Sequence, residues 1–159
     1  MLVLGIVLVY MVMAAEFESH TAPFVVMFSI PFAFAGAVFA LLAAGYTLNM
    51  FSFIGLIMLV GTVVNNAIVL VDYINLLIAR GQDVHSAVTN AGRQRLRPVM
   101  MTTLTTCCGM LPMALSNSTG SELWSPLATT IIGGLMIAMF VTLAVIPTIY
   151  SFVLKPKNA

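Results

Sequence analysis

FSFIGLIMLVGTVVNNAIVLVD, residues 51–72, carries no formal charge before its last residue. It closes a charge-free run that begins after Glu18 and covers residues 19–71. A run of that length belongs in lipid, where a backbone can satisfy its polar groups only by forming helices or a closed barrel. Inside the stretch stand two adjacent amides, Asn65 and Asn66. Polar side chains at that depth are costly and normally face other helices or a water-filled path. On a helix, Thr62, Asn65, Asn66, Val69 and Asp72 recur in steps of three and four and form nearly one face. The stretch therefore predicts a membrane-spanning helix with a polar seam.

The composition outside it agrees. Charged residues make up 7% of the 159 and apolar ones 61%, against about 25% charged in a soluble domain. Mean hydropathy is +1.10. The six cations are Arg80, Arg93, Arg95, Arg97, Lys155 and Lys157. No aromatic residues interleave them, which argues against a nucleic-acid partner. The start has no basic region of the kind that opens a signal peptide. Cys107 and Cys108 are adjacent in an apolar segment without metal-ligand spacing and read as small packing residues. Glu16, Glu18 and His20 form no recognised ligand set. No metal, no catalytic residues and no enzymatic activity are expected.

Five apolar segments follow from this pattern, over residues 1–15, 24–44, 51–78, 98–115 and 126–153. The expected fold is an all-α polytopic membrane bundle, a single transmembrane domain over 1–159. Val84, Ala87, Val88 and Ala91 recur at helical spacing, and Asp83 can cap them, so 83–93 reads as a short amphipathic helix on the cytoplasmic membrane surface. Its arginines would lie near anionic lipid headgroups. Cations mark the cytoplasmic side. The 79–97 connection and the tail with Lys155 and Lys157 lie on that side, and the 45–50 and 116–125 turns face outward. The N-terminus is then outside, and the first segment is shorter than the roughly 20 residues a span needs. Both features predict a fragment of a longer chain, with the missing part upstream.

Span four repeats the polar pattern through Thr102, Thr105, Thr106 and Gly109, with Arg95 two turns earlier. The plainer account of these groups is hydrogen bonding between helices, or from threonine back to its own helix. Gly36, Ala40, Gly55, Gly61, Gly133 and Gly134 permit close helix approach. Pro31, Pro112 and Pro147 lie in or near spans and can kink them.

Four segments resemble the resistance–nodulation–division (RND) efflux permeases, nearest the acriflavine-resistance, hydrophobe/amphiphile-exporting branch. They are Phe51-Ser-Phe-Ile-Gly-Leu-Ile-Met-Leu-Val-Gly61, Val64-Asn-Asn-Ala-Ile-Val-Leu-Val-Asp72, Arg95-Leu-Arg-Pro-Val-Met-Met-Thr-Thr-Leu-Thr105 and Gly109-Met-Leu-Pro-Met-Ala-Leu115. The resemblance covers essentially the whole chain. It implies the last five of twelve helices, eight to twelve, with the first truncated. It implies a bacterial inner-membrane, multi-pass protein with a cytoplasmic C-terminus. It further implies a homotrimeric pump that works with a periplasmic adaptor and the missing N-terminal part of the same permease. The energy source would be the proton gradient, with no cofactor.

In that family a relay joins two aspartates on helix four to a lysine on helix ten and to an arginine and a threonine on helix eleven. By motif, Asn65 takes the lysine's place, Arg95 the arginine's and Thr102 the threonine's, with Asn66 beside them. Asn65 departs from the lysine pattern and supplies a neutral amide, which can bond a carboxyl in either protonation state. Thr62, Asp72 and Thr106 form a secondary seam. The alternatives are a protein- or lipid-exporting relative of the same fold, or a structural bundle or gene remnant without transport of its own.

Overall fold

The computed structural model describes residues 2–17, 21–116 and 118–153, and among them every regular element is a helix. The helices are α1 (Leu2–Phe17), α2 (Thr21–Met27), α3 (Ser29–Ala43), α4 (Met50–Ala79), α5 (Val84–Ala114) and α6 (Ser121–Val153). Glu18, Ser19, His20, Lys155 and Lys157 lie outside the described residues.

Helices α2 and α3 form one rod with a break at Phe28. Pro31 lies one turn beyond the break. It has no N–H to donate to the Met27 carbonyl, so the ladder lapses there. The Ser29 hydroxyl donates instead to the Val26 carbonyl at 2.7 Å. Helix α4 starts on a side-chain cap: Asn49 accepts from the Ser52 amide at 2.9 Å and from its hydroxyl at 3.0 Å. Helices α3 and α4 both end by turning left-handed at glycine, with φ +75° at Gly45 and +87° at Gly81. The next amides, Tyr46 and Gln82, bond back to Leu41 and Leu77 at 3.0 and 3.2 Å. That geometry satisfies carbonyls the helix ends would otherwise strand.

Residues 83–93 and the 98–115 segment run together as one helix, α5, despite Pro98 and Pro112 inside it. Ala87, Val88 and Ala91 are buried, in one cluster with Leu70, Ile74 and Leu77 of α4. The apolar face read from the spacing thus packs on protein.

Among the described residues, helix α6 is the hub and touches α2, α3, α4 and α5, whereas α1 meets only α2 and α4. The α3–α6 crossing is set by small residues. A Cβ placed on Gly36 would lie 2.8 Å from Ile137 Cβ and 2.9 Å from the Gly133 carbonyl, and one on Gly133 would overlap Ala40. Against α4, a Cβ on Gly55 would lie 3.1 Å from the Leu127 carbonyl, and one on Gly134 would overlap Leu59. Lipid-type association depends on such close packing, since apolar contact alone gives no preference over lipid tails.

Among the described residues, three stretches are long and apolar enough to cross a membrane: Pro23–Ala43, Met50–Ala79 and Ser121–Ile149. Helix α1 is apolar but shorter. The apolar half of α5 is diluted by Thr102, Thr103, Thr105 and Thr106. The outer surface is rich in large apolar side chains; Phe39 is 69% exposed and Leu42 and Met101 are each 72%. In water such a surface would be a liability, and in a bilayer it is the solvated one. The molecule is a helical membrane bundle.

Candidate functional site

Helix α4 buries Val63, Val64, Ala67, Leu70 and Val71 in the bundle and turns the polar stripe of Thr62, Asn65, Asn66 and Asp72 away from it. Thr62, Asn65 and Asp72 are exposed and Asn66 is half-buried. Asn65 is the sixteenth of the thirty residues of Met50–Ala79, so the pair sits at mid-helix. Among the described residues, neither amide side chain has a hydrogen-bond partner. The neighbouring threonines are self-satisfied. Thr62 donates to the Met58 carbonyl at 3.0 Å, Thr102 to Val99 at 3.0 Å and Thr106 to Thr102 at 2.8 Å. Each hydroxyl keeps lone pairs free to accept.

Helix α5 flanks the stripe on one side. The Arg95 guanidinium carbon stands 4.4 Å above the centre of the Tyr73 ring, a cation–π contact. The Tyr73 hydroxyl donates to Gln94 Oε1. Tyr73 and Gln94 therefore hold α4 to α5 and fix the direction of Arg95. Sequence reasoning passed over both, because they lie 21 residues apart and only the fold brings them together. Helix α1 flanks the other side. Asp72 lines a cleft of about 210 Å³ with Glu16, Phe17, Ile68 and Val69, away from Arg95's contacts.

The sequence-derived set is thus an outward-facing stripe, without a hydrogen bond between the asparagines and Thr102 or Arg95 among the described residues. Thr103, which the sequence reading left out, is buried, and its hydroxyl has no partner. The carbonyl one turn back, at Val99, already receives the Thr102 hydroxyl. Cys107 is buried in the α4–α6 cluster and Cys108 is exposed, both as free thiols. Among the described residues, no three His, Cys, Asp or Glu side chains cluster to hold a metal.

A mid-helix amide pair without partners, facing out of an apolar bundle, can accept and donate hydrogen bonds to a surface laid against it. A carboxyl is a suitable partner, protonated or not.

Residues 1–154 match the sequence pattern of the AcrB/AcrD/AcrF family. Swarming motility protein SwrC of Bacillus subtilis is 39% identical over 95% of the chain, which spans 14% of that protein. Multidrug resistance protein MdtC of Pectobacterium carotovorum is 36% identical over 97% of the chain, which spans 15% of it. A crystal structure of a heavy metal efflux pump superposes on 93% of the chain with a TM-score of 0.82 at 33% identity, and the match covers 14% of that pump. The chain therefore spans about one seventh of the length of these relatives.

Proposed function

The chain belongs to the AcrB/AcrD/AcrF family of RND efflux permeases, and on that premise we propose that it is the C-terminal transmembrane part of a proton-driven pump, supplying the responding side of the relay. The observation that carries this reading is the Asn65–Asn66 pair, unpartnered and outward-facing at the middle of α4. Lipid is a poor environment for two free amides, so a second protein surface belongs against them. In the proposal that surface is the other transmembrane half of the permease, with its carboxylates opposite Asn65 and Thr102. A carboxylate there also faces the positive field of Arg95, which Tyr73 and Gln94 hold in place. Protonation removes the charge and with it the pull on Arg95, while the amide contact persists. A change in the pairing of α4 and α5 with the other half then moves helices, and the motion drives transport without covalent chemistry or a cofactor.

The proposed setting is a trimer in the bacterial inner membrane with a cytoplasmic C-terminus and a periplasmic adaptor. The proposed cargo is a hydrophobic or amphiphilic compound, following the multidrug name of MdtC. The heavy-metal name of the structural neighbour makes a metal ion the second cargo to assay. The test is a family permease whose matching segment is replaced by residues 1–154 of this chain. Asn65→Leu with Thr102→Val removes two interhelical hydrogen bonds, worth roughly 1–4 kcal/mol together, and efflux falls several-fold at unchanged expression. Unchanged efflux in that double variant sinks the relay assignment.

A further inference from the structure

A second feature lies apart from the polar stripe. A cleft of about 500 Å³ opens between the N-terminal half of α5 and the C-terminal end of α6. Its volume is many times the roughly 10–15 Å³ that one water needs by the same measure, enough for a headgroup. The two helices form an antiparallel hairpin, with the Ser125 hydroxyl of α6 donating to the Met113 carbonyl of α5 at 3.0 Å near their junction, so the cleft has a depth axis. By their order along the two helices, His85, Val88, Thr89 and Thr148 lie toward the shallow end, and Leu96 and Leu143 toward the deep end. Arg93 and Pro147 lie between them. The α5 wall carries Arg93, Arg95 and Arg97 just before the apolar 98–115 segment, and cations of that kind mark the membrane–water boundary, where the shallow end then lies.

The polarity order is that of a phospholipid: polar outside, cationic at the shoulder, apolar inward. Among the described residues, no carboxylate lines the cleft and Arg93 has no ion-pair partner. The two hydroxyls already donate to their own helices, Thr89 to His85 at 2.9 Å and Thr148 to Ala144 at 2.6 Å. The donors left for a ligand are the Arg93 guanidinium and a His85 ring N–H, which suit phosphate oxygens. On a regular helix Arg93 and Leu96 lie about a quarter turn or more from the Arg95–Thr102 line, so a protein surface covering the stripe does not by that fact cover the cleft.

We propose that this cleft binds one anionic phospholipid, its phosphate held by Arg93 and His85 and the start of an acyl chain seated on Leu96 and Leu143. The site stands independently of the relay reading. A free phosphate would use the donors and leave the apolar floor empty, whereas the lipid uses both.

The test is native mass spectrometry of the full 159-residue chain, purified in neutral detergent and titrated with phosphatidylglycerol, with phosphatidylcholine or with inorganic phosphate. The expected result is one phosphatidylglycerol retained ahead of phosphatidylcholine, with no tight binding of phosphate. Arg93→Gln should weaken it about fivefold, the equivalent of one basic side chain at an anionic surface. Gly92→Leu supplies a second arm: Gly92 lines the cleft, and a Cβ there meets nothing within 4 Å. The added side chain should displace the lipid while every charge stays in place and the helices still fold. Arg80→Gln, off the cleft, should retain lipid like the parent. Retention unchanged by Arg93→Gln and by Gly92→Leu overturns the proposal. So does inorganic phosphate competing as well as the lipid, or equal retention of the two lipids.

Discussion

Alanine at Gly36 tests the α3–α6 crossing at a single atom. The new Cβ would stand 2.8 Å from Ile137 Cβ and 2.9 Å from the Gly133 carbonyl oxygen. Carbon atoms prefer about 3.5–4.0 Å, so the rods must part by most of an ångström. The carbonyl is backbone and cannot swing aside. Overpacking of this kind costs about 1–3 kcal/mol, and a gap of 0.5–1 Å also forfeits roughly a quarter to a half of the dispersion along the seam.

Gly61→Ala is the matched control, because a Cβ there meets nothing within 4 Å, and alanine gains up to about 1 kcal/mol of helix propensity. The two variants should differ by about 2 kcal/mol or more, roughly a 30-fold ratio of unfolding constants. The assay is reversible unfolding in mixed micelles with increasing SDS. It can be followed by the fluorescence of Trp124, the sole tryptophan, whose ring lies 5.5 Å from Phe51 across the α4–α6 contact. If Gly36→Ala unfolds at the same SDS fraction as Gly61→Ala, the close crossing is not what holds α3 to α6.

Three further outcomes follow. Thr103→Val replaces a buried hydroxyl that has no partner with an isosteric methyl; the unfolding midpoint should rise, by up to about 1–3 kcal/mol, and a fall would mean the hydroxyl is satisfied. Asn49→Ala removes the α4 cap and should cost about 1 kcal/mol, with faster amide exchange at Ser52 as the local signature. Tyr73→Phe keeps the ring under Arg95 and loses the bond to Gln94, while Tyr73→Leu loses both. The NMR signals of the Arg95 guanidinium should therefore move little in the first and markedly in the second, and equal shifts would refute the stacking.

Three of the five expected spans match stretches long and apolar enough to cross a membrane, because hydropathy and length act locally: Pro23–Ala43, Met50–Ala79 and Ser121–Ile149 stand out by composition alone. The clustering of Thr62, Asn65, Asn66 and Asp72 on one side of α4 was legible from spacing. Its direction was not, since an isolated periodicity cannot say whether the bundle takes the polar face or the opposite one. Here α6 takes the α4 face of Gly55 and Leu59, with its own Gly134 against Leu59, and the amides are left outside.

The same limit applies to small residues. Gly36, Gly55, Gly133 and Gly134 sit at helix crossings, while Gly61 meets no neighbour and lines a shallow slot beside α1. The run of Val84, Ala87, Val88 and Ala91 gave an amphipathic face that the spacing laid on the membrane surface as a separate short helix; it is instead the start of α5, and its apolar face packs on α4. Tyr73 and Gln94 carried no signal, because pairing across 21 residues has no rule of spacing.

The position of α6 in the chain has a kinetic consequence. It is the shared partner of α2 through α5, yet it begins 78 residues after the last residue of α3, at Ser121 against Ala43. Gly133 follows Gly36 by 97 residues, so at about 5–20 residues per second α3, with its Gly36, waits roughly 5–19 s in the membrane for it. During that interval its small-residue groove has no occupant and is free to pair wrongly. Assembly of this bundle is therefore timed by translation, and a slow codon between the two helices should lower yield without changing any contact in the finished protein.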